Sequence, residues 1–413
     1  MTGVQKRTIF EAVGRGPVHP FPARMAPNVA LEILGHVDHP LRVLDPMMGS
    51  GTVLALARAK GHRAVGVDID PLSILISKVW TKSVDVDDVR EKAVDVLERA
   101  RDLFSELHVR DAYPRGADEE TRNFVRYWFD GYARRQLAAL AATIDRTCDG
   151  GVRDVLWCAF SRLIIVKQAG ASLAMDLSHS RPHRTFSRAP QKPFRNFLLA
   201  VDRVLDNCLD SRKSGLGPAP RLLEGDARHL PLPDATVDLV LTSPPYLNAI
   251  DYMRCSKFSL VWMGYRIPEL RTLRSRSIGS EVGRSATEND EVIRDIKQQL
   301  RLRPQLSRAD EAVLDRYMDD MRRALGEAFR VLSPKGKAVY VVGENTTRGT
   351  YIRNSVILSA LGQSAGFRLK ERRARVLPDN RRYLPPPARL RGSGRLDNRI
   401  RREVILVFKK KAA

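Results

Sequence analysis

Cysteine is scarce in this chain: its 413 residues include four, Cys148, Cys158, Cys208 and Cys255, and none form a Cys-x-x-Cys pair. That spacing excludes a disulfide framework and a structural zinc site, and it reads as a chain kept reduced inside a cell. Long apolar runs are also missing, since none approaches the ~20 residues a membrane-spanning helix needs. The stretch from Met1 to Phe10 lacks the apolar core of a signal peptide, so the expected location is cytoplasmic and no membrane partner is expected. Acidic residues are in deficit, 48 against 70 Lys and Arg, which leaves a net charge of +22. A surplus of that size favours polyanionic partners through counterion release, whatever the fold.

What is present is a pattern of strands, helices and glycine turns. Arg42-Val43-Leu44 is a short apolar run ending in Asp45, followed by the turn Pro46-Met47-Met48-Gly49-Ser50-Gly51-Thr52. Val53 to Lys60 is rich in Ala and Leu and predicts a helix stopped by Gly61. Ala64 to Val67 is a second strand ending in Asp68, which completes a βαβ unit of a parallel sheet. From Asp85 to about Gly217 the pattern is helical, with Val86 to Leu107 and Val152 to Lys167 as clear helices. Within it, Ser178 to Arg195 is polar and basic, and three prolines block regular structure there. Strands return with a short one ending at Glu224-Gly225-Asp226-Ala227 and another at Val237 to Leu241. A basic insertion then covers roughly Tyr265 to Ser307. Tyr317 to Leu332 is a helix, Pro334-Lys335-Gly336 a turn, and Ala338 to Val342 an uncharged central strand. Phe367 to Val376 and Glu403 to Phe408 form a closing strand pair around a Pro/Arg-rich loop.

Two segments carry chemistry. Gly49 and Gly51 have no Cβ, so a ligand can approach the backbone of the first turn closely, and Asp68 ends the next strand where an acid commonly binds a ribose hydroxyl. No lysine follows Gly51, so this is not a Walker-type phosphate loop. The second segment, Ser243-Pro244-Pro245-Tyr246, follows directly on the strand Val237 to Leu241. Two prolines at a strand's carboxyl end fix a rigid loop where open α/β sheets bind ligands. An exocyclic base amino group is a poor nucleophile because its lone pair is shared with the ring. The Ser243 hydroxyl and the Pro244 carbonyl can accept its two hydrogens, bend the nitrogen towards tetrahedral geometry and free that lone pair. The Tyr246 ring offers a face on which an extruded base stacks.

Asp45 to Thr52 resembles motif I of the amino DNA methyltransferases, and Thr242 to Tyr246 resembles their motif IV. Phe21-Pro22-Ala23-Arg24-Met25 is similar to motif X, and Gly225-Asp226-Ala227 to the strand end beside the cofactor adenine. The order X, I, IV is the non-permuted one. The resemblance implies an α/β, Rossmann-like class I methyltransferase with a mostly parallel seven-stranded sheet, carrying a helical insertion and a basic loop insertion. Together with the helical and basic stretches above, it divides the chain into 1–84 with motif X and the cofactor-binding half, a mainly helical insertion 85–217 as a candidate DNA-recognition region, a catalytic half 218–264 and 308–413, and a basic insertion 265–307. It implies S-adenosyl-L-methionine as cofactor, held by Phe21, Arg24, Asp45, Pro46, Met47, Gly49, Gly51, Thr52, Asp68, Asp226 and Ala227. Ser243, Pro244, Pro245 and Tyr246 are then catalytic, with no metal. Serine ahead of the two prolines favours cytosine N4 as acceptor. Adenine N6, guanine N2 of an RNA, and a catalytically silent DNA-binding module stay open. Met47, where the family usually has phenylalanine, leaves that wall apolar and less rigid.

The expected partner is double-stranded DNA, with a cognate restriction nuclease open and the oligomeric state undetermined. Three basic regions compete to hold the duplex. They are Arg181, His183 and Arg184; Arg271, Arg274 and Arg276; and a tail loop with Arg381 and Arg382. From Lys370 onward the basic surplus is 11, half the total. Such contacts position a duplex without reading it, and the location becomes nucleoid-associated through DNA.

Overall fold

The computed structural model describes residues 9–21, 25–35, 39–177, 182–211, 217–247, 252–280, 291–299, 307–347, 350–376 and 402–410. After two short helices, Ile9–Val13 and Pro27–Leu34, come β1 (Arg42–Asp45), α1 (Thr52–Ala59), β2 (Arg63–Asp68) and α2 (Pro71–Thr81). A helical run follows: α3 (Val86–Glu106), α4 (Glu119–Trp128), α5 (Gly131–Thr147), α6 (Gly150–Ile164) and α7 (Pro193–Leu205). Then come β3 (Arg221–Glu224), β4 (Val237–Thr242), α8 (Met253–Leu260), α9 (Ile267–Arg276), α10 (Glu291–Gln299) and α11 (Arg308–Val331). The chain closes with β5 (Leu332–Gly343), α12 (Asn354–Ser364), β6 (Phe367–Val376) and β7 (Arg402–Lys410). The strands lie in the order β6-β7-β5-β4-β1-β2-β3, a seven-stranded sheet. The pairs β1–β4, β4–β5 and β2–β3 are parallel, while β7 runs antiparallel to both β5 and β6. The expected mostly parallel α/β sheet is therefore present.

Local chemistry explains the helix starts. Asp70 caps α2 by accepting from the Leu72 amide, with Pro71 at the first helical position, where its missing N–H costs nothing. Asp85 caps α3 by accepting from the Asp87 and Asp88 amides. Helix α3 then buries Val89, Ala93, Val96, Leu97 and Ala100, one stripe of a 3.6-residue period. Two expectations needed revision. Pro334-Lys335-Gly336 is not a free turn but lies within β5, where the register against β4 slips between Val237 and Leu239. The pairing thus absorbs the proline as a bulge rather than ending the strand. The basic insertion, expected as a loop, contains α9 and α10. Pro268 sits in the first turn of α9, and α10 buries Ile293, Ile296 and Lys297 on one side.

The chain forms two compact units. The first comprises Met1–Asp38, Met48–Glu224 and Tyr252–Leu273. Its core joins α2 to the helical run and to α8. Phe258, fully buried, meets the rings of Phe124, Trp128 and Phe129, and Trp262 closes on Phe129 and Phe160. The second unit comprises His39–Met47, Gly225–Asp251 and Arg274–Ala413. Ala338 to Val342 run through its centre at 1% exposure or less, as a strand covered on both faces requires. Among the described residues, no helix is long and apolar enough to cross a membrane.

Phe258 ties α8 to the helical run, so Phe258→Ala should destabilise the first unit by about 3–5 kcal/mol through lost burial and a retained cavity. Urea unfolding followed by tryptophan fluorescence measures this, and a loss below ~1 kcal/mol would show that the ring cluster does not hold these helices together.

Candidate active site

Two constellations form at the strand ends, one in each unit. In the first unit the glycine turn is gripped from both sides. The Gly49 amide donates to Asp68 Oδ2 at 2.8 Å, and the Ser77 hydroxyl of α2 donates to the Gly49 carbonyl at 2.9 Å. Gly51 adopts φ +80°, and a Cβ there would lie 2.8 Å from Ser77 Oγ, so both conformation and space demand glycine. The Phe21 ring lies against Gly49, where an added Cβ would meet its edge at 3.3 Å. Its other neighbour is Tyr252, stacked at 5.4 Å with 13° between the planes. An apolar pocket beside them is lined by Phe21, Leu72, Ile165, Tyr252 and Cys255, with Ser256 at its wall. Thr52 Oγ1, at the start of α1, is buried with no hydrogen-bond partner among the described residues.

Asp68 accepts a second backbone bond, from Asp70 N at 2.9 Å on Oδ1. Burial, and then the negative charge of Asp70, push the Asp68 carboxyl up to about 7, against the opposing pull of its backbone hydrogen bonds. Asp70 itself is buried and accepts from Ser256 Oγ of α8 at 2.6 Å. A buried hydroxyl without a partner among the described residues and a strand-end acid suit a ligand that carries hydroxyl groups.

In the second unit, β1 and β4 pair in parallel with Val43 opposite Leu239 and Leu44 opposite Val240. The Arg42 guanidinium and amide both bond Asp238 at the amino ends of these strands. At the carboxyl ends Thr242 Oγ1 donates to Asp45 Oδ1 at 2.7 Å, and the Met47 amide adds a longer bond of 3.2 Å to the same oxygen. Asp45 is 3% exposed. Asp45-Pro46 and Ser243-Pro244-Pro245-Tyr246 therefore leave adjacent strands at the same end. Beyond Thr242, Pro244 is buried, while Ser243, Pro245 and Tyr246 are half-buried. Ser243 Oγ lies 3.4 Å from the Tyr246 hydroxyl, which donates to Glu403 Oε1 of β7 at 3.4 Å.

The remaining expected residues are placed unevenly. The Asp226 carboxylate is gripped by Arg228, with Oδ1 accepting from Nε at 2.9 Å and Oδ2 from Nη2 at 2.6 Å. Arg228 also reaches Asp320. Ala227 is buried beside it. Among the basic residues, Arg271 is paired with Glu120, so its charge is internally matched. Arg274 and Arg276 lie on α9, where the Arg276 carbonyl accepts from Arg228. His183 and Arg184 are exposed, with the Arg184 guanidinium 5.3 Å from the Tyr127 ring centre. Arg24, Arg181, Arg381 and Arg382 lie outside the described residues. Sequence reading did not find Tyr252, Ser256 or Glu403. Nothing local marks the first two, whereas an acid directly ahead of the apolar run of β7 is a visible signal for the third.

No family model matches the chain. Among curated proteins it is similar to the Type II methyltransferase M.MvaI of Kocuria varians, 23% identical over 376 residues, which span 83% of this chain and 80% of that protein. It is also similar to the Type II methyltransferase M.BsoBI of Geobacillus stearothermophilus, 21% identical over 382 residues, spanning 79% and 73% of the two chains. Among solved structures, a SAM-dependent methyltransferase from Methanosarcina mazei aligns over 92% of this chain and 97% of its own, with 10% identity and a TM-score of 0.32, too low for any argument from shape.

Proposed function

We propose that this chain transfers a methyl group from S-adenosyl-L-methionine to the exocyclic amino nitrogen of a base in duplex DNA, with cytosine N4 as the favoured acceptor. The observation that carries the reading is the Thr242–Asp45 hydrogen bond, which brings the start of the glycine turn and the double-proline loop to one end of adjacent parallel strands. Ligands of open α/β sheets bind at that end. Similarity to Type II methyltransferases over most of the chain supports the same reading.

When bound, the cofactor supplies an electrophilic methyl group on a sulfonium. Gly49, Gly51, Thr52, Asp68 and Phe21 would hold it, with Asp45, Pro46, Met47, Asp226 and Ala227 contributing. The buried Thr52 hydroxyl, without a hydrogen-bond partner among the described residues, is a group such a molecule could engage. The protein's own part in the chemistry lies in the loop. Ser243 Oγ and the Pro244 carbonyl accept the two amino hydrogens and turn the nitrogen lone pair outward. Tyr246 stacks on the extruded ring. Pro244 and Pro245 lock the backbone, so these acceptors need little reorganisation as charge develops.

The test is transfer of a radiolabelled methyl group to duplex DNA, compared with RNA, followed by identification of the methylated base. Ser243→Ala should slow turnover on the order of 10²–10³-fold while leaving cofactor affinity within a factor of about two. Label entering RNA alone would overturn the DNA reading, and N6-methyladenine as the product would overturn the cytosine preference.

A second outcome follows from Asp68. Ribose hydroxyls donate to the ionised carboxylate, and protonation removes that acceptor. With the carboxyl pushed up to about 7, cofactor affinity should rise as pH climbs through that value. Below it, affinity should fall by up to about tenfold per pH unit, and Asp68→Asn should abolish the dependence. Calorimetric titration between about pH 5.5 and 8.5 measures this; a flat profile in the unaltered protein would remove Asp68 from the ribose site.

A further inference from the structure

Glu403 is a costly residue to place in β7. It precedes Val404-Ile405-Leu406-Val407-Phe408 and is itself 8% exposed. A buried carboxylate is tolerated only when paired. The sheet register sets a cation against it: Arg375 of β6 stands directly opposite, its Nε 3.1 Å from Oε2 in an ion pair without hydrogen-bond alignment. On the other side its register partner is Gly343 of β5, which has no side chain to fill the space. The second carboxylate oxygen, Oε1, accepts from the Tyr246 hydroxyl at 3.4 Å. That hydroxyl lies 3.4 Å from Ser243 Oγ. A chain of oxygens thus leads from the catalytic serine to an arginine-paired carboxylate on the last strand.

Such a chain has a direction. An ionised carboxylate can only accept, whereas each hydroxyl donates one hydrogen and accepts on its lone pairs. With Glu403 accepting, the Tyr246 hydrogen points to Oε1, and the phenol oxygen can accept in turn. The Ser243 hydrogen then points to Tyr246, and the Ser243 lone pairs are left for a donor on the other side. The amino group of a base is such a donor. We propose that Glu403 is a positioning residue of the double-proline loop: through Tyr246 it orients the Ser243 hydroxyl so that its lone pairs, not its hydrogen, face the base amino group. The proposal rests on the methyl-transfer reading above and goes beyond it by giving the last strand a part in the reaction. It also gives Tyr246 two duties, a ring face for stacking and a hydroxyl that passes on the orientation.

The experiment is a double-mutant cycle on the full chain with Glu403→Gln, Tyr246→Phe and the pair together, read by single-turnover methyl transfer to duplex DNA. Glutamine keeps the shape but can present either a donor or an acceptor, so the direction is no longer imposed. Each single change should slow transfer roughly three- to tenfold, the worth of a long hydrogen bond that orients without binding strongly. Cofactor KM should stay unchanged, and the double variant should be no slower than the worse single one. If Glu403→Gln melts early in thermal unfolding, Arg375→Met with Glu403→Gln removes both buried charges together, and the same slowing is expected. Wild-type speed in the Gln variants, or losses that multiply in the double variant, would overturn the proposal. Unaltered protein that puts no label into DNA would instead overturn the function on which it rests.

Discussion

A 2.7 Å hydrogen bond from the Thr242 hydroxyl to a buried carboxylate is the constraint on which the second unit's site depends. Asp45, at 3% exposure, is held in a place where a lone charge would be strongly unfavourable, and Thr242 together with the Met47 amide makes it tolerable. Because Thr242 is the last residue of β4 and Asp45 the last of β1, the bond acts as a clasp between two strand ends. The Arg42–Asp238 pair does the same at their other ends, but in a more exposed setting where an ion pair contributes little. Register is thereby defined at both ends of the β1–β4 pair. Each strand then gives way to a proline-containing segment with few conformations open to it.

Much of this was readable from the sequence because it is local. The strand at Arg42 to Asp45, the helix after Gly51 and the strand ahead of Ser243 each announce themselves within about ten residues by apolar periodicity and turn chemistry. The closing pair, Phe367 to Val376 with Glu403 to Phe408, was visible for the same reason, and the structure extends its second strand by one residue before and two after. The bulge in β5 was not, since Pro334-Lys335-Gly336 has the composition of a turn and only the pairing partner decides otherwise. The helices of the basic insertion were hidden by charge. In α10 the buried face is as narrow as Ile293, Ile296 and Lys297, the last paired with Glu311 and Asp315 of α11.

The site was legible to a different degree. Its backbone features, the two glycines and the two prolines, could be located because those residues have few other uses in such an order. Its side-chain partners could not, because partnership is a property of the fold. Arg375 meets Glu403 through a strand register, and Arg271 meets Glu120 across 151 residues of sequence. No spacing rule connects either pair. The strand-end acids show the same limit: Asp68 is legible in the sequence, but the burial and the neighbouring charge of Asp70 that raise its pKa are properties of the fold.

These pairings also change what the basic surplus means. Arg228 is committed to Asp226 and Asp320, Arg330 to Glu327 and Asp234, and Arg271 to Glu120. A planar guanidinium serves such forked contacts better than lysine does, so arginines that look like a nucleic-acid surface in the sequence can be structural braces. Net charge still attracts a polyanion, since pairing redistributes charge without removing the surplus. What pairing does remove is the inference from a cluster of arginines to a binding face. For α9 this matters directly, because Arg271, one of the three arginines the sequence offers there, is matched by Glu120. A count of arginines therefore overstates how much of the charge is available to a polyanion, because forked pairs such as Arg228 with Asp226 hold part of it within the fold.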